Sequence, residues 1–253
     1  MKEKHMTIQI HLLFYVFMIA SMVTGYFKDF SMIMILIFIH ECGHILMSSF
    51  FHWKIEKIII LPFGGLTLFH ESLNRPLKEE LMIVLAGPMM QVIGYLILKN
   101  WIRDSMFSFY HYFILGFNLL PIVPLDGSKI LQVLGNYIVS FYESQILTLW
   151  FSLLTLLCLF FYCLTYSFNF ILYLTFFFLG LEWIKEFKRR RFVFSKFLLE
   201  RYQNYYPFKK YKTIFKENAK KMKRDYRHVF YQGKKCYSER EFLHRMFDFK
   251  RKL

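Results

Sequence analysis

Cysteine is scarce in this chain, and its four cysteines form no CxxC pair among 253 residues. This scarcity excludes a disulfide framework. Recognised nucleic-acid-binding motifs are also absent, so the excess of basic residues does not predict a nucleic-acid partner. The apolar N-terminal segment has no clear small-x-small cleavage site before Tyr26. We therefore expect that segment to be retained as a membrane span rather than removed as a signal peptide.

Hydrophobic residues, by contrast, make up 56% of the chain, which contains 32 Phe and 17 Tyr. This composition is typical of a membrane protein. The apolar runs predict an all-α polytopic membrane protein with about six transmembrane helices. The predicted spans are residues 8–27, 32–51, 80–98, 106–122, 146–166 and 168–184.

A short segment after the second predicted span, residues 55–69, is rich in β-branched residues but is interrupted by Pro62 and the Gly64-Gly65 pair. It is too short to cross a membrane. The pattern predicts strands or a re-entrant hairpin at the membrane face, and an unpaired edge there could receive an extended peptide. A plain connecting loop is an equally open interpretation.

The basic residues are concentrated after the last predicted span. Residues 185–253 carry 23 Lys and Arg against seven Asp and Glu, which accounts for the whole net charge of +15. We therefore expect a membrane protease domain over 1–184 and a basic cytosolic tail over 185–253, with both termini cytosolic and the tail in contact with anionic lipid. The tail has few aliphatic residues, which predicts a marginal or partly disordered appendage; the alternative is a degenerate regulatory domain.

The second predicted span contains His40, Glu41 and His44 in the pattern HExxH. Polar side chains at that depth in a membrane cost free energy unless they bind a partner, so we expect these three to have partners. On a helix, residues four apart lie on one face, where two imidazoles can share a zinc ion while the glutamate takes a proton from the bound water. The alternative is that both histidines are polar groups that bond to neighbouring helices.

A candidate third ligand is Asp126, which follows Pro121 and Pro124 on backbone that cannot continue a regular helix. The charge distribution places Asp126 and the HExxH motif at the cytosolic ends of their spans, which predicts one buried metal centre open to the cytosol. Alternatively, Asp126 only caps the following helix. Asn118 could bond a substrate carbonyl or a neighbouring helix, and we expect Gln91 to bond a neighbour.

The sequence segments HECGH, LPFGG, NRPLKEE, AGP and NLLPIVPLDG together resemble the site-2-protease family of intramembrane zinc metalloproteases, especially its sporulation members. The resemblance covers about residues 5–205, including FLLERY at 197–202. It implies one zinc ion per chain on His40, His44 and Asp126, with Glu41 as general base. It also implies that Asn118 and Pro124 position the substrate.

The same resemblance implies a membrane-tethered pro-sigma factor as substrate, inhibitory membrane proteins as partners, and a location in the mother-cell membrane around the forespore. Relatives end in a nucleotide-sensing CBS domain. The tail after Tyr205 lacks the β-rich pattern of such a domain, so nucleotide regulation is not expected here.

The sequence alone leaves two other functions open. One is a HExxH membrane protease that uses Glu182 or Glu186 as third ligand. The other is a metal transporter or non-catalytic metal-binding membrane protein. A transport pathway would need polar residues in several spans, and the last two predicted spans contain no ionisable residue before Glu182.

Overall fold

The computed structural model describes residues 7–10, 12–61, 64–69, 73–166, 170–215, 218–232 and 235–248. The helices are α1 (Leu12–Thr24), α2 (Phe27–Phe50), α3 (Leu77–Leu98), α4 (Ser105–Asn118), α5 (Asp126–Ile138), α6 (Phe141–Tyr166), α7 (Phe170–Gln203) and α8 (Glu239–Asp248). The strands are β1 (Thr7–Ile10), β2 (Ile55–Leu61), β3 (Gly64–Phe69), β4 (Lys210–Phe215), β5 (Tyr226–Gln232) and β6 (Lys235–Ser238).

Among these described residues, α2, α3 and α6 are the helices long and apolar enough to cross a membrane. They correspond to the predicted spans at 32–51, 80–98 and 146–166. The helices α1 and α4 have 13 and 14 residues, fewer than the roughly 20 that a perpendicular span needs. The chain is therefore a mainly helical membrane protein with small sheets.

The described chain divides into two compact units. The first comprises the residues up to 69 and Leu81–Leu120, and the second comprises residues 73–80 and Pro121 onward. The helix α3 begins in the second unit and continues in the first. The helix α7 passes residue 184, the predicted end of the last span, without a break.

The first unit contains a three-stranded sheet in the order β1-β2-β3. The strand β1 pairs with β2 in parallel, with Thr7 opposite Lys57, and β2 pairs with β3 antiparallel. The predicted strands over 55–69 are thus confirmed. The prediction of one helical span over 8–27 is wrong at its start, because β1 occupies that position and finds its partner about 50 residues away.

The helices of the first unit pack closely where the sequence offers small residues. A Cβ atom on Gly43 would lie 2.7 Å from Met90 Cβ and collide with the backbone of Ala86. Gly43 and the Ala86-Gly87-Pro88 segment therefore allow α2 and α3 to approach closely. Toward the other end of α2, a buried apolar cluster joins α2, α3 and α4; it consists of Met32, Leu36, Tyr95 and Phe107.

The second unit is built on the pair α6 and α7. The α6 helix begins with a capping arrangement, in which the Glu143 carboxylate accepts hydrogen bonds from the Ser140 N–H (3.1 Å) and hydroxyl (2.8 Å). The Phe141 and Phe197 rings stack at 4.3 Å, and Trp183 Nε1 donates to the Leu149 carbonyl. Before α6, the helix α5 has a buried face that includes Val133 and Asn136.

The tail is folded, contrary to the prediction of a marginal or disordered appendage. The strand β4 pairs with β5 in parallel and β5 pairs with β6 antiparallel, with α8 following. Its core combines phenylalanines with aliphatic residues such as Ile214 and Leu243, and the Phe230 and Phe242 rings stack at 4.0 Å. The chain after Tyr205 therefore forms a small sheet although its sequence lacks the β-rich pattern of a CBS domain.

The two motifs NRPLKEE and FLLERY meet within the second unit. The Asn74 side chain donates to the Phe197 carbonyl (3.2 Å) and to Glu200 (3.1 Å). The buried Arg201 donates back to Asn74 Oδ1 at 2.6 Å and to Glu239 at 3.0 Å. These contacts tie the segment before α3 to the end of α7 and to the tail.

Candidate metal centre

The two histidines of the HExxH motif lie side by side on α2. His40 and His44 are 3% and 7% exposed, and their Nε2 atoms are 3.1 Å apart. The four-residue spacing places both rings on one face of the helix, as the sequence predicts. The first unit thus brings two imidazole nitrogens together in a buried position.

The other ring nitrogen of each histidine is held by α3. His40 Nδ1 lies 2.9 Å from Gln91 Oε1, and His44 Nδ1 lies 2.8 Å from the carbonyl oxygen of Ile83. Gln91 in turn donates from Nε2 to the carbonyl of His111 at 3.2 Å, which fixes its amide orientation. The expectation that Gln91 bonds a neighbouring element is confirmed.

These contacts determine the tautomer of both rings. A carbonyl oxygen accepts hydrogen bonds only, so each Nδ1 carries the proton and each Nε2 presents a lone pair. Two lone pairs facing each other at 3.1 Å repel unless a cation or a proton lies between them. Tetrahedral zinc with Zn–N bonds of about 2.0–2.1 Å separates two nitrogens by roughly 3.3 Å, so the pair is suited to a shared zinc ion.

Gly87 on α3 leaves the space that the two rings need. A Cβ atom at this position would collide with the His44 ring and lie 2.8 Å from His40 Nε2. Any larger residue there would push the rings out of position. The Ala86-Gly87-Pro88 segment therefore serves the site directly as well as the helix packing.

Glu41 follows His40 on α2 and is half-buried. Its neighbour Cys42 is also half-buried and carries a free thiol. Asn118, in the same unit, is the last residue of α4 and half-buried.

Asp126 and Pro124 belong to the second unit. Asp126 is buried at the first position of α5, and its Oδ1 accepts from Lys129 Nζ at 2.9 Å. The cap position of α5 is Leu125, so Asp126 lies one residue inside the helix rather than at its N-cap. In the turn before Asp126, the Val123 N–H donates a hydrogen bond to Ser152 Oγ of α6 at 2.9 Å.

The two alternative carboxylates, Glu182 and Glu186, lie on α7. Glu182 pairs with Lys185, and Glu186 pairs with Arg189 at 3.0 Å. Each pair is separated by one helical turn and is largely exposed on its basic side, which is the ordinary arrangement of surface charge on a helix.

Sequence reasoning overlooked the backbone part of the site. Gln91 could be noticed as a polar residue at membrane depth, but its pairing with His40 depends on how α2 and α3 cross. The partner of His44 is the backbone carbonyl of Ile83. Every residue has such a carbonyl, so this partner cannot be recognised from the sequence.

Comparison with known proteins places the chain in a family. The model of peptidase family M50 matches residues 30–102, which include both histidines and their α3 partners. Stage IV sporulation protein FB of Bacillus subtilis is 33% identical over 208 residues, covering 77% of this chain and 71% of that protein. A zinc metalloprotease of Methanocaldococcus jannaschii is 28% identical, over 50% of this chain and 42% of that protein.

A solved structure gives the same result for the fold. The site-2 protease from Methanocaldococcus jannaschii matches with a TM-score of 0.57 at 24% identity, over 74% of this chain and 93% of that one. The curated relatives are also similar in sequence, so they support assignment to a family as well as to a fold. This chain, whose HExxH histidines lie within the matched residues, belongs to peptidase family M50, the site-2 protease family of membrane metalloproteases.

Proposed function

We propose that this metalloprotease is an intramembrane zinc enzyme that hydrolyses a peptide bond of a membrane-tethered protein. The observation that carries the proposal is the pair of Nε2 lone pairs converging at 3.1 Å on α2. The histidines lie within a helix long and apolar enough to span a membrane. A peptide bond cleaved there belongs to a substrate that is itself in the membrane.

We propose His40, His44 and Asp126 as the ligands of one zinc ion. The three residues are buried, and two neutral imidazoles with one carboxylate form a donor set that suits zinc. Zinc bound there would supply a Lewis acid that polarises the scissile carbonyl and lowers the pKa of a coordinated water to about 7. The hydrogen bonds to Gln91 and to the Ile83 carbonyl fix the orientation of both imidazoles, so that each presents Nε2 for this purpose.

In this scheme Glu41 is the general base. It accepts the proton from the attacking water and returns it to the nitrogen of the leaving amine. Asn118 and Pro124 would position the substrate backbone near the metal. A helical substrate must unwind locally before its backbone is accessible, because its carbonyls are otherwise bonded within the helix.

The finer biological assignment rests on the relationship to a sporulation protein. We propose that the substrate is a membrane-tethered pro-sigma factor and that inhibitory membrane proteins hold the enzyme inactive. We also propose six spans, both termini in the cytosol, and a location in the mother-cell membrane around the forespore. The functional division would then be a protease domain over 1–184 and a cytosolic tail over 185–253 that contacts anionic lipid.

Co-expression with a candidate pro-sigma factor tests the function. The wild-type protein should cleave the substrate, and Glu41→Gln should lose cleavage by about 10²–10⁴-fold, the usual contribution of a general base. Zinc content should be equal in both proteins, because Glu41 is not one of the proposed ligands. Full activity of Glu41→Gln would overturn the proposed role.

A further inference from the structure

The second unit contains a cavity at the start of α6, away from the HExxH motif in sequence. Its volume is about 320 Å³. Its lining comes from the end of α5, the first turn of α6, the strand β4 and the segment after the short helix over Ala219–Lys221. Nothing in the proteolytic scheme uses this cavity.

Positive charge dominates the lining. Three lysines, Lys212, Lys221 and Lys223, line the cavity together with one carboxylate, Glu143. Both hydrogen bonds from Ser140 go to Glu143 Oε2, so this carboxylate is engaged in capping α6. Even with Glu143 counted in full, the cavity carries an excess of two positive charges.

Placing three lysines in one partly buried cavity is electrostatically unfavourable. The pKa of Lys223 is lowered, first because burial penalises its charged form and second because the charge of Lys212 is close. Like charges gathered in a partly buried cavity destabilise the protein unless an anion joins them. The arrangement therefore favours a negatively charged occupant.

The donor type indicates the class of anion. Lysine ammonium groups act as compact point charges with several rotatable donors, which suits the oxygens of a phosphate group. The rest of the lining includes three apolar side chains, Ile138, Ile214 and Phe215. Ile138 and Phe215 are 75% and 71% exposed, so the cavity offers an apolar border beside its charged part.

The position of the cavity indicates where the phosphate comes from. The α6 helix that begins here is a candidate membrane span. On α7, Trp183 contacts Leu149 and Phe194 contacts Tyr142, so the cationic run over 185–191 lies beside the first turns of α6. A run of basic residues next to the end of a span marks the headgroup level of a membrane.

We propose that this cavity binds the phosphate headgroup of an anionic phospholipid from the adjoining leaflet. The phosphate contacts Lys212, Lys221 and Lys223, and the glycerol and upper acyl chain lie against Ile138 and Phe215. The site is independent of the zinc centre, and its test needs no protease activity.

Native mass spectrometry of the full chain tests the proposal after reconstitution in nanodiscs of phosphatidylcholine mixed with phosphatidylglycerol. Wild type should retain phosphatidylglycerol preferentially. Lys212→Gln combined with Lys221→Gln should weaken that preference about 30-fold, the ratio that corresponds to about 1 kcal/mol for each lysine. Lys223 is left intact because its Nζ also donates to the Ile138 carbonyl.

The matched control is Lys210→Gln combined with Lys235→Gln. It removes the same charge from exposed positions on β4 and β6, outside the cavity, and should keep the wild-type preference. Equal lipid preference in all three proteins would overturn the proposal, as would an equal loss in both variants. Thermal unfolding of each protein confirms that the comparison is between folded chains.

A competition experiment distinguishes a lipid headgroup from a free phosphate. Inorganic phosphate added to the nanodiscs should leave the bound phosphatidylglycerol in place. If inorganic phosphate displaces the lipid, and also binds the wild type but not the cavity variant in detergent without anionic lipid, the occupant is a soluble phosphate. That outcome overturns the lipid assignment.

Discussion

The orientation of the two HExxH histidines depends on residues outside the proposed ligand set. Gln91 accepts a hydrogen bond from His40 Nδ1 and is itself fixed by the carbonyl of His111. Loss of the acceptor lets the imidazole rotate and lets the proton move to Nε2, where it competes with the metal. The orientation of the ligand is thus built into the α2–α3 packing.

Gln91→Leu is expected to weaken zinc binding by about 10- to 100-fold, the usual effect of removing a partner of a metal-ligating histidine. Zinc affinity can be measured by competition with a chelator. Tyr95→Phe is the matched control. It removes the hydrogen bond from Tyr95 to Ser108 one turn further along α3, and should leave zinc affinity unchanged. Unchanged affinity in Gln91→Leu would contradict this role.

Gly87→Ala is expected to abolish zinc binding, because the added methyl group occupies the space of the His44 ring. The helix itself tolerates alanine at least as well as glycine, so the defect should lie in the site. Gly116→Ala on α4 adds a methyl group where nothing lies within 4 Å and should bind zinc normally. Zinc content after purification distinguishes the two variants.

The sequence predicts only part of this site. The spacing of His40 and His44 places them on one helical face wherever that helix packs. The partner atoms depend on the crossing of α2 and α3, which a one-dimensional pattern does not contain. The role of Asp126 as third ligand stays a prediction from its chemistry and its place after Pro124.

At the scale of elements, the tail depends on a buried charged cluster. Arg201 donates to Asn74, Glu239 and the carbonyls of Tyr226 and Lys223. The NRPLKEE and FLLERY segments both carry side chains of this cluster, Asn74 and Arg201. Burial lowers the pKa of Arg201, and Glu239 counteracts the shift.

Arg201→Met is expected to destabilise the protein by about 3–5 kcal/mol, because it leaves Glu239 buried without its cationic partner. The free energy of unfolding in detergent measures the effect. Arg227→Met is the control, since Arg227 contacts the neutral Tyr211 hydroxyl at 3.4 Å and the Tyr205 ring, and its loss should change stability by no more than about 1 kcal/mol. Similar losses in both variants would contradict the importance of the buried cluster.

His228 makes this cluster sensitive to acid. Its Nε2 accepts from the Lys223 N–H at 3.0 Å, so Nδ1 carries the proton and donates to Glu239. Burial lowers the pKa of His228 below its ordinary 6.5. For Glu239, burial raises the pKa, but His228 and Arg201 outweigh it and the net pKa is lowered below 4.5.

The lowered pKa values of His228 and Glu239 change the stability of the protein with pH in the same direction. The unfolded chain binds these protons at higher pH than the folded chain, so the stabilisation is present above the ordinary pKa and is lost as pH falls. We expect unfolding temperature to decline below about pH 6.5 through His228, and further below about pH 4.5 through Glu239. His228→Asn should remove the first decline; a variant with the wild-type pH profile would contradict the assignment.

The sequence predicts those helices and strands that are determined by consecutive residues of the chain. The α2, α3 and α6 helices follow from long apolar runs, because hydropathy acts over consecutive residues. The strand β1 was missed because its partner β2 is remote in the chain. The tail strands are not predicted because half of the buried residues in their core cluster are phenylalanines, among them Phe197, Phe230 and Phe242, and a high phenylalanine content is also typical of membrane spans.

At the scale of the whole molecule, the proposed topology places the folded tail in the cytosol. Cys236 on β6 is exposed and provides a native reporter. After Cys42, Cys158 and Cys163 are replaced by serine, a membrane-impermeant maleimide should label Cys236 in inverted vesicles and leave it unlabelled in intact protoplasts. Labelling in intact protoplasts would contradict the cytosolic tail and the six-span orientation.

The central claim is that one zinc ion is held by His40, His44 and Asp126 and is used for proteolysis. The most direct test is the zinc content of purified wild type, Asp126→Ala and the matched control Glu182→Ala. We predict one zinc ion per chain in wild type and in Glu182→Ala, and loss of zinc and cleavage in Asp126→Ala. Zinc and activity retained in Asp126→Ala but lost in Glu182→Ala would contradict the claim and identify a glutamate as the third ligand.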